Sequence, residues 1–245
     1  MNKPTYKELL NAGAHFGHLK KKWNPKMSPY IFMERKGIHL IDLNRTLEGM
    51  DNAAAALKQI AKSGRKILFV ATKKQARDIV SAAAQSVNMP YVTNRWLGGM
   101  MTNFATIKKS IRKMQSIERM LKDGSLENVT KKEKLTLTRE LAKLDKVLGG
   151  IADINRIPPA IFIVDIDHEH IAVAEAHKLG MRTFGIVDTN ADPNKVDFPI
   201  PANDDATKSI SIITNYIASA IKEGLEERNE AKAAKAEAKE EVKEA

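Results

Sequence analysis

Asp165 and Asp167 close the apolar run Ile161-Phe-Ile-Val-Asp165-Ile-Asp167. Two carboxylates at the end of a buried strand can hold magnesium, one attacking a phosphate ester while the other protonates the leaving group. Asp188, at the end of the next apolar run, and the pair Asp204-Asp205 would complete such a site. His15-x-x-His18 has the spacing of half a metal site, and Asp167-His168-Glu169-His170 offers another half. Imidazole and carboxylate together suit zinc, but the sequence identifies no third ligand for the His15/His18 pair. A zinc or magnesium ion near His15 and His18, or near Asp188 and Asp204, is therefore left open, and no cofactor is expected.

The strand-end carboxylates are similar to those of haloacid-dehalogenase-type phosphatases, with three departures. Glu169 stands where that family places Thr or Ser, the motif comes late in the chain rather than at its start, and no lysine stands out as a phosphate clamp. The simpler reading has Asp165 and Asp188 capping strand-end loops and Asp167 and Glu169 at a helix N-terminus, where the dipole favours acids. Other chemistries are excluded more sharply. There is no cysteine, hence no thiolate nucleophile, disulfide or cysteine-ligated zinc. The chain has no G-x-S-x-G elbow, and the strands are followed by Asn44-Arg45-Thr46 and Thr72-Lys73-Lys74-Gln75, which are neither dinucleotide fingerprints nor P-loops.

The charge points elsewhere. The formal net charge of the 245 residues is +10, unevenly spread: residues 1–149 hold 29 Lys/Arg against 12 Asp/Glu (+17), and residues 150–245 hold 11 against 18 (−7). Such a separation gives the molecule one face for a polyanion. Two loops look like RNA surface. In the first, Lys20, Lys21, Lys22 and Lys26 surround Trp23, which packs under the loop or stacks on a base. In the second, Thr93 to Asn103, Trp96 reads as core and Arg95 as a backbone clamp. The basic stretches lack the apolar face of a membrane-surface helix, and no apolar run has the length of a signal peptide or a membrane span, so a soluble intracellular protein is expected.

The elements that position these residues follow from hydrophobic spacing. Ile38–Leu43, Lys66–Ala71, Pro90–Thr93, Ala160–Asp165 and Arg182–Asp188 read as strands, with Phe198–Ile200 as a final edge strand. Amphipathic helices alternate with them, which predicts an α/β fold: a doubly wound parallel sheet of about five strands, covered on both faces. Between Phe104 and Gly149 the pattern changes. Phe104, Ile107, Ile111, Met114, Ile117 and Leu121 form one narrow stripe, and Leu137, Leu141, Leu144 and Leu148 a second, as in two helices zipped against each other rather than laid on a sheet. Asp123-Gly124 ends the first helix, and Thr130-x-x-Glu133 is a capping box opening the second. The insert carries 12 Lys/Arg against 6 Asp/Glu, among them Lys108, Lys109, Arg112, Lys113, Lys131 and Lys132. It reads as a grip for a polyanion. Residues 1–103 and 150–224 form the α/β domain, with 1–36 a basic extension; 104–149 is an antiparallel two-helix coiled-coil arm; 225–245, almost wholly Ala, Glu and Lys, is a mobile charged tail.

His15-Phe-Gly-His18, Trp23-Asn-Pro-Lys-Met27, Arg95-Trp-Leu-Gly-Gly99 with Thr102-Asn103, Asp165-x-Asp-His-Glu-His170, Asp188-Thr-Asn-x-Asp-Pro193 and Asn203-Asp-Asp-Ala206 occur in one order. Together they resemble the bacterial small-subunit ribosomal proteins of the uS-two family, from the N-terminus to about residue 225. The resemblance implies a flavodoxin-like domain with a protruding coiled-coil hairpin. It further implies a cytoplasmic place in the small ribosomal subunit, on 16S rRNA between head and body, beside neighbouring small-subunit proteins. Among these is the large mRNA-binding first protein, which the family helps to dock. Carried onto this chain, RNA contact falls on the Lys20–Lys26 loop, Arg35 and Lys36, Arg95 and the basic arm, with no catalytic residue and no enzymatic activity.

Overall fold

A computed structural model of the chain describes residues 3–123 and 130–244, with side chains described as far as residue 231. Its centre is a parallel sheet of five strands: β4 (Ile67–Val70), β5 (Tyr91–Val92), β6 (Ala160–Val164), β7 (Arg182–Val187) and β8 (Phe198–Pro201). Their spatial order is β5-β4-β6-β7-β8, so counting these strands alone gives 2-1-3-4-5, the flavodoxin-like winding. The expected edge strand at Phe198–Ile200 is present as β8.

Alternation along the strands explains why they are apolar throughout. Ile67, Phe69, Phe162, Phe184 and Ile200 join one core, with helices α2 (Leu43–Lys62), α3 (Arg77–Ser86) and α7 (Thr207–Glu244). Leu68, Val70, Ile161, Ile163 and Val187 join a second core on the opposite face, with α6 (His170–Lys178). Successive side chains point to opposite faces, so a strand covered on both has no polar position. Phe69, Phe162 and Phe184 are fully buried; truncating any one to Ala costs about 3–5 kcal/mol.

Two expectations are corrected. The run Ile38–Leu43 does not join the parallel sheet. Only Ile38–Ile41 is strand (β3), and it lies between β1 (Phe16–Leu19) and β2 (Ile31–Arg35) in a separate antiparallel sheet. The cause is local: Lys36 and Gly37 both take positive φ, 52° and 76°, making a two-residue hairpin that pairs Arg35 with Ile38. Asp42 then caps α2 through Asn44 N–H, ending the strand early.

The second correction concerns the insert. Its helices, α4 (Phe104–Lys122) and α5 (Lys131–Leu148), do touch one another, and the expected capping box forms at Thr130 and Glu133. Leu137, Leu141 and Leu144 are half-buried and Leu148 buried, as the spacing requires. However, Ile107, Ile111, Met114 and Leu148 belong to the same core as Leu68 and Ile163. The root of the insert is therefore packed on the sheet, and its stripe serves two partners. Gly124 of the expected Asp123-Gly124 stop lies outside the described residues.

The C-terminal segment continues α7 as helix to Glu244. Its beginning is anchored: Leu225 packs on the first core, and Glu227 pairs with Lys58 and Lys62 of α2. A Cβ added at Gly224 would lie 2.4 Å from the Lys58 carbonyl, so α2 and α7 approach closely there. The anchoring thus runs past residue 225, where the tail was expected to begin; the side chains from 232 on lie outside the described residues.

Candidate functional site

The carboxyl ends of the parallel strands collect most of the residues singled out in the sequence. Asp165 directly follows β6 with a positive φ of 65°, and its Oδ1 accepts the His168 N–H at 3.0 Å. Its Oδ2 lies 3.1 Å from Lys73 Nζ, in the loop after β4. Lys73 also meets Asp204 at 2.7 Å and Asp205 at 2.6 Å, in the segment before α7. Burial alone would lower the Lys73 ammonium; the surrounding carboxylates override it and hold it above the ordinary lysine range. Asp204 is pushed up to about 7, first by burial and then by the charges of Asp165 and Asp188, against the pull of Lys73. His18 of β1 joins from the other side. Its Nδ1 is 3.0 Å from Asp188 Oδ2 and its Nε2 3.6 Å from Asp205 Oδ2, and the Asp188 hydrogen bond raises it above its usual value.

This cluster sits where the strand order reverses, between β4 and β6, the place at which open α/β sheets bind ligands. The arrangement there differs from a phosphatase pair. Asp165 is bridged to Lys73 and to its own loop, whereas Asp167 is exposed and its carbonyl accepts from His170 Nδ1 at 3.2 Å. The two carboxylates face different surroundings, so they do not converge on one reacting atom. Glu169 is buried and accepts the Thr72 N–H at 2.6 Å, tying the ends of β4 and β6 together. Lys73, which spacing did not single out, is the lysine nearest Asp165; its position just after strand β4 was the signal.

The loop from Arg95 to Asn103 is organised by Glu175, buried on α6. One oxygen accepts Trp96 Nε1 (3.0 Å) and Gly99 N (2.7 Å). The other accepts Met101 N (2.9 Å), Thr102 N (2.9 Å) and Thr102 Oγ1 (3.1 Å). Burial raises this carboxyl, but the donors outweigh it and hold it below its ordinary value. Trp96 is core, as expected, and Arg95 is left exposed at the rim. The neighbouring Asn94 side chain donates to the Lys146 carbonyl at 2.7 Å, fastening the loop to the end of α5.

The lysine loop is held by one threonine after β7. Thr189 donates nothing to it but accepts twice: His18 N–H on its Oγ1 at 2.8 Å and Asn24 N–H on its carbonyl at 2.7 Å. Gly17 lies so close that an added Cβ would be 2.6 Å from the Thr189 side chain. Lys21 and Lys22 are exposed, Lys20 pairs with Glu34 and Lys26 with Asp192. Trp23 packs on His39, ring centroids 5.0 Å apart, and Met27 is buried beneath the loop. Arg35 and Lys36 are exposed at the β2–β3 hairpin. Along the insert Lys109, Arg112, Lys131 and Lys132 are exposed, Lys108 is half-buried beside the Asn155 carbonyl, and Lys113 pairs with Glu140.

The model of the family described as Ribosomal protein S2 matches residues 9–224, from α1 (Tyr6–Asn11) into α7. The chain belongs to the ribosomal protein S2 family. It is 64% identical over 230 residues to the small ribosomal subunit protein uS2 of Cytophaga hutchinsonii, covering 94% of this chain and 91% of that relative. It is 60% identical over 228 residues to the protein of the same name from Bacteroides thetaiotaomicron, covering 93% and 82%. The match spans the lysine loop, the Glu175 loop and the whole insert. In this S2-family chain Arg95 and the Lys20–Lys26 loop both lie at the carboxyl end of the sheet, Arg95 after edge strand β5 and the lysine loop against the segment after β7. His15 stands apart from the acidic cluster, its Nδ1 buried without a partner. Glu175 and Thr189, which organise the two loops, escaped sequence reasoning. The one available signal was an acid on the apolar side of α6, beside buried Ala172, Val173 and Ala176.

Proposed function

We propose that this chain is a structural constituent of the small ribosomal subunit in the cytoplasm, binding 16S rRNA between head and body and supporting translation without catalysis. The observation that carries the proposal is S2-family membership over residues 9–224, joined to a set of basic side chains that keep their ammonium or guanidinium groups at the surface. In this reading Lys21, Lys22, Arg35, Lys36 and Arg95 neutralise phosphates directly, because they are exposed and form no ion pair among the described residues. Lys20, Lys26 and Lys113 exchange a carboxylate for a phosphate on binding. Exposed ion pairs are worth only about 0–1 kcal/mol, so the exchange is cheap. Lys108, Lys109, Arg112, Lys131 and Lys132 extend the grip along α4 and α5, which act as a coiled-coil arm beyond their packed root. Trp23 supports the lysine loop from beneath. Contacts of this kind fix position on the RNA and read few bases.

The same reading gives the chain a role in docking the large mRNA-binding first protein of the subunit. Support comes from apolar side chains left open on the small antiparallel sheet: Phe16, Leu19, Phe32 and Met33, with Phe32 71% exposed. Phe16 and Met33 both pair with Leu40, from opposite sides of β3, so they share a face. Exposed apolar groups gathered in this way mark protein interfaces.

The test is salt dependence of 16S rRNA affinity. Neutralising six or more phosphates makes affinity fall by about 10³ or more between 50 and 200 mM salt. An affinity nearly independent of salt contradicts the proposal.

A further inference from the structure

We propose that His18, Asp188 and Asp204 bind a divalent first-row transition-metal ion of the zinc type, which ties the N-terminal sheet to the carboxyl end of the parallel sheet. The three residues each offer one ligand atom, and those atoms all lie within 4.8 Å of one another. Ligands about 2.1 Å from a tetrahedral metal stand about 3.4 Å apart, so sub-ångström to ångström shifts close the shell.

A second observation points to a cation independently of that spacing. Asp204 is 1% exposed, its Oδ1 is taken by Lys73, and its Oδ2 is buried with no hydrogen-bond partner. A buried carboxylate oxygen without a partner is costly, and native structures seldom leave one unmet. Charge agrees. Asp165, Asp204 and Asp205 share the single Lys73, and Asp188 pairs with His18, so the four carboxylates leave the cluster negative even with His18 protonated. One imidazole nitrogen with two carboxylate oxygens suits zinc and its neighbours better than magnesium, which keeps its water and prefers oxygen alone. His18 is 23% exposed and Asp205 54%, which leaves an entry path and room for water at the remaining position.

The consequence is mechanical. His18 lies in β1, separated from Lys20–Lys22 by Leu19 alone, while Asp188 follows β7 and Asp204 precedes α7. An ion held by these three residues would set the angle at which the lysine loop leaves the sheet.

The experiment uses the full chain, stripped with a chelator and titrated with zinc by isothermal calorimetry at neutral pH, with magnesium in parallel. We expect one zinc per chain, magnesium at least tenfold weaker, and X-ray absorption of the wild-type complex showing one nitrogen among oxygens at about 2.0–2.2 Å. His18→Gln and Asp204→Asn should each weaken zinc binding at least tenfold, and His170→Gln, at an exposed histidine outside the cluster, should leave it unchanged. Since Asp204 is buried and its substitution also perturbs folding, His18→Gln and the wild-type absorption spectrum decide. Absence of saturable one-to-one binding, a shell with two or more nitrogens, or undiminished affinity in His18→Gln would overturn the proposal.

Discussion

Replacing Glu175 by Gln removes a charge without changing shape, and the consequence can be worked from the five donors it accepts. Trp96 Nε1 and Gly99 N point at one oxygen; Met101 N, Thr102 N and Thr102 Oγ1 point at the other. Whichever oxygen becomes an amide nitrogen, two N–H groups, one buried and one part-buried, then face a donor instead of an acceptor. Each such group costs about 1–3 kcal/mol, so after partial relaxation the loss is about 3–5 kcal/mol. At about 2–4 °C per kcal/mol for a chain of this size, the melting temperature falls by about 6–20 °C. Calorimetry measures the shift, and hydrogen exchange at the amides of Gly99, Met101 and Thr102 localises it. The pH dependence follows from the same bonds. The folded-state carboxyl is held below its ordinary 4.5, so its contribution is fully present above that value and is lost as pH falls through the depressed folded value. The Gln variant should lose that part of the acid-side dependence. A loss under about 1 kcal/mol, with those amides still protected, would refute the reasoning.

Three further outcomes are expected. Gly224→Ala drives a Cβ toward the Lys58 carbonyl and should cost about 1–3 kcal/mol in denaturant unfolding, since overpacking forces α2 and α7 apart; a neutral result would show that this end of α7 is not packed as described. Replacing residues 116–139 by a short linker should leave the melting temperature nearly unchanged and weaken 16S rRNA binding, whereas removing 104–149 should unfold the protein, because Ile107, Ile111 and Leu148 are core; equal stability of the two deletions would contradict the packed root. Joint substitution of Lys21, Lys22 and Arg95 by Ala should reduce the salt slope of rRNA affinity by about 2–3, roughly one per phosphate contact, as read from filter binding across a salt series; an unchanged slope would remove these three from the interface.

What the sequence reveals and conceals follows from the range of each interaction. The strand at Ile161–Val164 and the capping box at Thr130 are local patterns, readable because period and spacing suffice. The hairpin at Lys36-Gly37 is hidden in the sequence because lysine seldom signals a turn of positive φ, and without that turn the run Ile38–Leu43 reads as a strand of the parallel sheet. The stripe on α4 was legible as apolar, but spacing alone does not say whether Ile107 meets another helix or a sheet. Lys73, Asp165 and Asp204 come from distant parts of the chain and meet only because parallel strands end on one side. The grouping of Asp165 with Asp204 is legible from their strand-end positions, whereas the arrival of Lys73 between them is not. Glu175 sits in an ordinary helix, where its burial is decided by the loop it organises.

The account rests on basic side chains meeting phosphate, and a high-resolution structure of a small subunit carrying this chain tests it most directly. We predict the ammonium and guanidinium groups of Lys21, Lys22, Arg35, Lys36 and Arg95 within hydrogen-bonding distance of 16S rRNA backbone oxygens, with further contacts along α4 and α5. The same groups directed into solvent, with no nucleotide beside them, would contradict it.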